Sequence, residues 1–438
     1  MRSPILVAVA MCACGNDHAI NDDGGSGNPA PRVISGGGIG DGPIDGVVNL
    51  YVIDDATRAP IAGAEVKVGD RAGTTDATGL FIAEGLTGPQ TVVVMAPAMR
   101  SEMWVGANGA NITVNLIDRD QPVPGKAEIS GSITGFDTIA VTVPNHIKAA
   151  IIVGSQTDVL GDPANDIAQT VANQNICTGA ATASPCNFTV TTRTGNVALI
   201  AAILDIDTKG TATPNDDSSV LIRWAYLGGL DVVAGVNQTN RNLALVSEAM
   251  QQQLTISFGT PPLSTVAGVV GVELGDDGVL ALPQFLPATA TSLLAPTLAV
   301  FGTGARYRFT GLSNSGATTN ASISFMIDKH LPGPTLGGKP WLAPPTGANI
   351  TTTGGSWTNS PGATVHAVEY RSGATRALSV TLFDGSTSFT VPAGIALPSG
   401  SLTAAVNAMG APGLDLMNFA LDTDSDKIVQ FAGQPVML

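Results

Sequence analysis

From Gly46 to Leu116 apolar and polar positions alternate with a period of two, broken by short turns. The runs are Val47-Val48-Asn49-Leu50-Tyr51-Val52, Ala64-Glu65-Val66-Lys67-Val68, Leu80-Phe81-Ile82, Thr91-Val92-Val93-Val94-Met95 and Asn111-Ile112-Thr113-Val114-Asn115-Leu116. β-Branched residues suit a pleated strand, and the alternation turns one row of side chains inward and the other toward water. Asp76 and Gly79 bracket a turn: an Asp side chain can bond the backbone ahead of it, and Gly supplies a positive φ. These signals predict a small antiparallel β-sandwich over residues 44–118.

The same pattern continues. Residues 118–125, with Pro122 and Pro124, read as a linker. A second unit, 125–260, contains Ile139–Val143, Ala149–Val153 and the continuous apolar run Val197–Leu204, which suits a strand covered on both faces. Its polar excursion, 158–184, reads as a surface loop. Pro261-Pro262 opens a third unit, 261–345, with strands expected at Val269–Leu274, Leu298–Phe301, Arg306–Phe309 and Ile323–Ile327. The last unit, 346–438, has strands expected at Val365–Tyr370, Leu378–Leu382 and Ile428–Phe431. Ser247–Gln253 is the best local helix candidate. The fold class is all-β: several antiparallel β-sandwiches, Ig-like or prealbumin-like, in series.

Ala59-Pro60-Ile61-Ala62-Gly63-Ala64-Glu65-Val66, Thr75-Asp76-Ala77-Thr78-Gly79-Leu80-Phe81, Leu86 and Thr91–Val94 together resemble the carboxypeptidase regulatory-like domain. The resemblance implies a prealbumin-like seven-stranded sandwich and a non-catalytic accessory or surface module. The strand spacing of 346–438 loosely resembles a fibronectin type III sandwich.

Composition narrows the setting. Only 13% of residues are charged, against 44% hydrophobic, so Thr, Ser, Asn and Gln must supply much of the polar surface. A net charge of −15 with dispersed Lys and Arg excludes a nucleic-acid partner, which needs clustered cations. At the N-terminus Arg2 precedes the apolar run Ile5–Met11 and then Cys12-Ala13-Cys14-Gly15. This reads as a signal peptide over 1–13, too short to span a bilayer. Ala13-Cys14 resembles a bacterial lipobox, which implies a diacylated Cys14; ordinary secretion with a free Cys14 thiol is the alternative. Residues 14–43, rich in Gly, Asn, Asp and Pro, read as a flexible tether. The expected partner is therefore a membrane, reached through the lipid, and the expected location is the outer membrane or cell surface. Cys177 and Cys186 read as a disulfide closing a small loop, rather than as a metal site, since no His or third Cys lies close in sequence.

Candidate chemistry is sparse. His366-Ala367-Val368-Glu369 has the H-x-x-E spacing of a zinc peptidase, but no histidine follows it, and in a strand residues three apart face opposite sides. It reads as an exposed His–Glu pair. Asp422, Asp424 and Asp426 occupy positions one, three and five of an EF-hand-type loop, yet Lys427 stands where Gly is wanted and Gly433 where Glu is wanted. Asp205 and Asp207, with Asp216 and Asp217, form a second acidic cluster. Both read as solvated turns, with calcium as the one cofactor the sequence admits. Trp104, Trp224, Trp341 and Trp357 read as core residues; an exposed Trp104 or Trp341 would favour glycan stacking. The function expected is a non-enzymatic cell-surface lipoprotein with structural or adhesive modules, the alternative being a glycan- or peptide-binding surface protein that uses sandwich loops.

Overall fold

A computed structural model describes residues 29–120, 125–157, 175–179 (backbone), 186–211, 216–316, 321–373, 375–395, 397–398 and 401–438. The predicted signal peptide, Cys14 and most of the 158–184 excursion lie outside the described residues. The fold is all-β, in mostly antiparallel sheets. Helix among the described residues amounts to single turns, such as Leu421–Asp424.

Two local expectations are corrected. Ser247–Gln253 forms one 3₁₀ turn at Glu248–Met250 and then enters the strand Gln251–Ser257. A helix that short cannot repay its nucleation, whereas the strand pairs with Ser292–Pro296 and buries Leu254 and Ile256. Leu298–Val300 is likewise a 3₁₀ turn, not a strand.

Two facing sheets form at 44–118, with one departure from the antiparallel expectation: Asp45–Asp54 pairs in parallel with Asn111–Leu116. One sheet contains Asp45–Asp54, Leu80–Thr87 and Asn111–Leu116, and facing it lie Glu65–Val68, Arg71–Thr74, Gln90–Met95 and Ser101–Ala107. Val48, Leu50, Val52, Val66, Val68, Val92, Val94, Ile112 and Val114 interlock between them. The Asp76 turn forms as read: Asp76 Oδ1 accepts from the backbone N–H groups of Thr78 at 2.8 Å and Leu80 at 3.0 Å. Gly79 sits at φ 75°.

The tether is shorter than expected. Gly38–Gly40 is a buried strand between Asn111–Leu116 and Phe419–Ala420. Its glycines are what allow the approach, because a Cβ at Gly38 would run into the Phe419 carbonyl.

The expected boundaries do not interrupt the sheets. Ser101–Ala107 pairs in parallel with Thr375–Leu382, far along the chain. A thirteen-stranded sheet then continues through Val365–Ser372, Leu402–Gly410, Gln430–Met437, Ile323–Leu331 and Arg306–Asn314 to Thr265–Glu273. Its strands come from the units read as 44–118, 261–345 and 346–438. An unpaired edge strand leaves a row of N–H and C=O groups without partners, and joining sheets removes that cost. Periodicity reports which face of a strand is buried; it does not report which strand lies beside it.

Within the unit read as 125–260, the strands up to Leu243–Leu245 form a seven-stranded sheet whose end strands, Asn175–Gly179 and Cys186–Arg193, lie against each other, so it curls round its own core; Gln251–Ser257 leaves it to pair with Ser292–Pro296 and Thr335–Gly337. The doubly covered strand is observed. In Gly195–Asp207, residues Val197, Leu199, Ala201 and Ile203 face that core, while Ala198, Ile200 and Ala202 face the core of the third unit. Lys148 is buried at one end of the curled sheet, donating to the Phe136 carbonyl at 2.5 Å and the Ile139 carbonyl at 2.8 Å.

The thirteen-stranded sheet is covered on one face by the five-stranded sheet of the first unit. Part of its other face is covered by Thr346–Thr351, Gly354–Thr358 and Ser388–Thr390. Strand Val365–Ser372 shows the consequence: Val365, Ala367 and Glu369 face the first cover, while His366, Val368 and Tyr370 face the second. Hydrogen exchange should therefore show amide protection in Ser101–Ala107 and Thr375–Leu382 lost together in one opening event. Independent loss would separate the two units.

Candidate functional site

Between the thirteen-stranded sheet and its five-stranded cover lies a cavity of about 130 Å³. One end is apolar: Trp104 meets Phe383 edge-on and Phe383 meets Phe419 at a tilt, with ring centroids 5.3 Å and 5.6 Å apart, and Met409, Leu414 and Ile428 complete the wall. The other end is polar and comes from three neighbouring strands, each contributing inward positions: Arg100 and Glu102 at Ser101–Ala107, Ser379 and Thr381 at Thr375–Leu382, and Glu369 at Val365–Ser372.

These ionic groups satisfy one another. Arg100 Nε donates to Glu102 Oε1 at 2.7 Å, and its Nη1 stands 3.5 Å from Glu369 Oε1. Arg371 Nη2 reaches the same Glu369 oxygen at 3.1 Å. Two arginines and two glutamates thus pair with one another in a largely buried place, where charge is tolerable only when paired. Burial pushes the Glu102 carboxyl up to about 7, against the pull of Arg100 in the other direction. Glu369 Oε1 is buried and accepts no hydrogen bond despite its two arginine neighbours.

The residues singled out from sequence go elsewhere. His366 and Glu369 are not an exposed pair: both are buried, and they face opposite sides of the sheet. The ring of His366 lies 5.6 Å from that of Trp357, with neither nitrogen hydrogen-bonded, and burial lowers its pKa. The Asp422, Asp424 and Asp426 carboxylates diverge, because residues 421–427 wind as short helical turns and side chains spread around the axis. Asp422 pairs with Arg58 at 3.1 Å, Asp424 with Lys427 at 2.8 Å, and Asp426 with Lys329 at 3.1 Å.

In the second cluster, Asp205 and Asp207 flank His146, at 2.8 Å and 3.8 Å, and Asp216 accepts from Thr211 at 2.9 Å. Among the described residues no three His, Cys, Asp or Glu side chains gather as a metal-holding group, Asp217 included. Trp104, Trp224 and Trp357 are core residues, as read; Trp341 is half-buried and donates to the Phe258 carbonyl at 2.5 Å. Cys186 is buried at the start of its strand, and the side chain of Cys177 lies outside the described residues.

The polar wall was missed from sequence. A signal was present: Glu369 sits between Val368 and Tyr370 in a strand apolar on both faces, so its charge had to be buried and paired. Arg371, two residues along the same strand, is the local sign of that pairing; Arg100 lies before a strand far away in sequence and gives none.

No family model matches the chain, and no curated protein matches it. Among solved structures, the major pilin subunit of Bacillus cereus is similar at 8% identity and a TM-score of 0.15, covering 66% of this chain and 97% of that one. A variant of the same pilin gives 8% identity and a TM-score of 0.15 over 61% and 87%. A calcium-stabilised adhesin with which an Antarctic bacterium binds ice gives 11% identity and a TM-score of 0.14 over 85% and 96%. Likenesses this slight carry no argument about function.

The Glu102 environment sets a pH dependence. With a pKa near 7 in the fold and 4.5 as its ordinary value, the folded chain keeps a proton that the unfolded chain has released between those pH values. Stability contributed at this site therefore falls as pH rises from 4.5 toward 7, with a slope of at most about 1.4 kcal/mol per pH unit. Glu102→Gln should flatten that part of the curve, as read from urea midpoints of wild type and variant at pH 5 and pH 7. Parallel curves would show that Glu102 does not titrate there.

Proposed function

We propose that this chain is a non-enzymatic bacterial cell-surface lipoprotein whose stacked sheets serve as a structural and adhesive scaffold. Cys14 carries the lipid, and the residues before the first described strand connect it to the fold. Residues 44–118 are a carboxypeptidase regulatory-like sandwich extended by its neighbours, and Cys177 bridges Cys186. The observation that supports the scaffold reading is the thirteen-stranded sheet, whose backbone hydrogen bonds fasten three distant stretches of chain into one body. A body of that kind resists shear, which an exposed adhesive protein requires.

Three measurements test it. Mass spectrometry of the mature protein from a bacterial host should find a diacylated Cys14, and Cys14→Ala should move the protein from the membrane to the soluble fraction. An unmodified terminus would remove the anchor. Cells displaying the wild type should attach to glass under flow several-fold better than cells carrying Cys14→Ala, and equal attachment would remove the adhesive role. Non-reducing peptide mapping should find Cys177 joined to Cys186; free thiols at both would refute the bridge.

A further inference from the structure

We propose that the interlayer cavity binds a small neutral aromatic alcohol of about the size of phenol, its ring against Trp104, Phe383 and Phe419 and its hydroxyl donating to Glu369. This goes beyond the scaffold role and does not depend on it. The volume is of the right order: the cavity measures about 130 Å³, and an apolar protein cavity of about 150 Å³ takes up benzene. Three aromatic side chains at one end favour a ring, whose edge and face can each meet an aromatic neighbour. Water alone suits that end poorly, since an enclosed water needs two to four polar partners and the aromatic wall offers at most the one indole N–H of Trp104.

The polar end specifies the functional group. Glu369 Oε1 is buried, lies 3.1 Å from Arg371 and 3.5 Å from Arg100, and still accepts no hydrogen bond. A ligand hydroxyl supplies the missing donor. Neutrality follows from the pairing beside the cavity: Arg100 already has Glu102 as its partner and Arg371 has Glu369, so an ammonium or carboxylate on the ligand would find no partner free. Leu421 and Ser425, in the excursion between the last two strands, also line the cavity.

The test is a titration of the full chain, labelled with methyl-¹³C methionine, with phenol and separately with toluene. The Met409 methyl, which lines the cavity, should shift saturably with phenol. Toluene, which has the ring without the donor, should bind about tenfold more weakly, the loss expected for one hydrogen bond to a charged acceptor. Ala367→Leu, which fills the space from the floor, should abolish the shift while circular dichroism shows the fold retained; Thr381→Leu fills it from the next strand if the first variant does not fold. Absence of a saturable Met409 shift, toluene binding as tightly as phenol, or an undiminished shift in a folded cavity-filling variant would each overturn the proposal.

Discussion

The parallel pairing of Ser101–Ala107 with Thr375–Leu382 is the contact on which the rest of the architecture depends. Without it the first sandwich would end in an open edge, and Arg100, Glu102 and Glu369 would not share a surface. With it, main-chain hydrogen bonds bring together strands separated by more than half of the chain. Long-range pairing is entropically costly to form. What offsets that cost is burial on both faces, seen in the apolar rows of Val365–Ser372 and Thr375–Leu382.

That double burial explains the character of the cavity. A strand covered on both sides has no solvent face on which to leave a charged side chain. Glu102 and Glu369 are therefore kept by pairing, not by hydration, and the four ionic groups form a closed arrangement. Substituting one member leaves the others without a partner away from water, a loss larger than the pair's own net contribution. The His146 pair with Asp205 and Asp207 is a contrast: it lies at the partly exposed end of its strand, where water still screens.

Strand character was legible wherever burial imposes a period. The alternation at 47–52 and 91–95, the Asp76 turn and the doubly covered run at Val197–Ile203 all follow from local rules. Sheet membership was not, because the hydrogen-bonding edge of a strand carries no side-chain signature. Thus Gly38–Gly40 looked like tether, since its role rests on the absence of side chains. The aspartates at 422–426 suggested a loop only because one helical turn and one ion-binding loop share the same polar composition. Trp104 was correctly read as core, but the space beside it depends on residues more than 250 positions away.

The position of Gly38–Gly40 has a mechanical consequence. This short strand is flanked on both sides, by Asn111–Leu116 and by Phe419–Ala420, and its bonds run across the chain direction. Tension arriving from the N-terminal side along the strand must break those bonds simultaneously, as a bolt is sheared, instead of one after another, as a zip is opened. After the bonds that hold Arg32 and Ile34 to Asn111 and Thr113, this short strand is the point at which a pull from the N-terminal side enters the sheet.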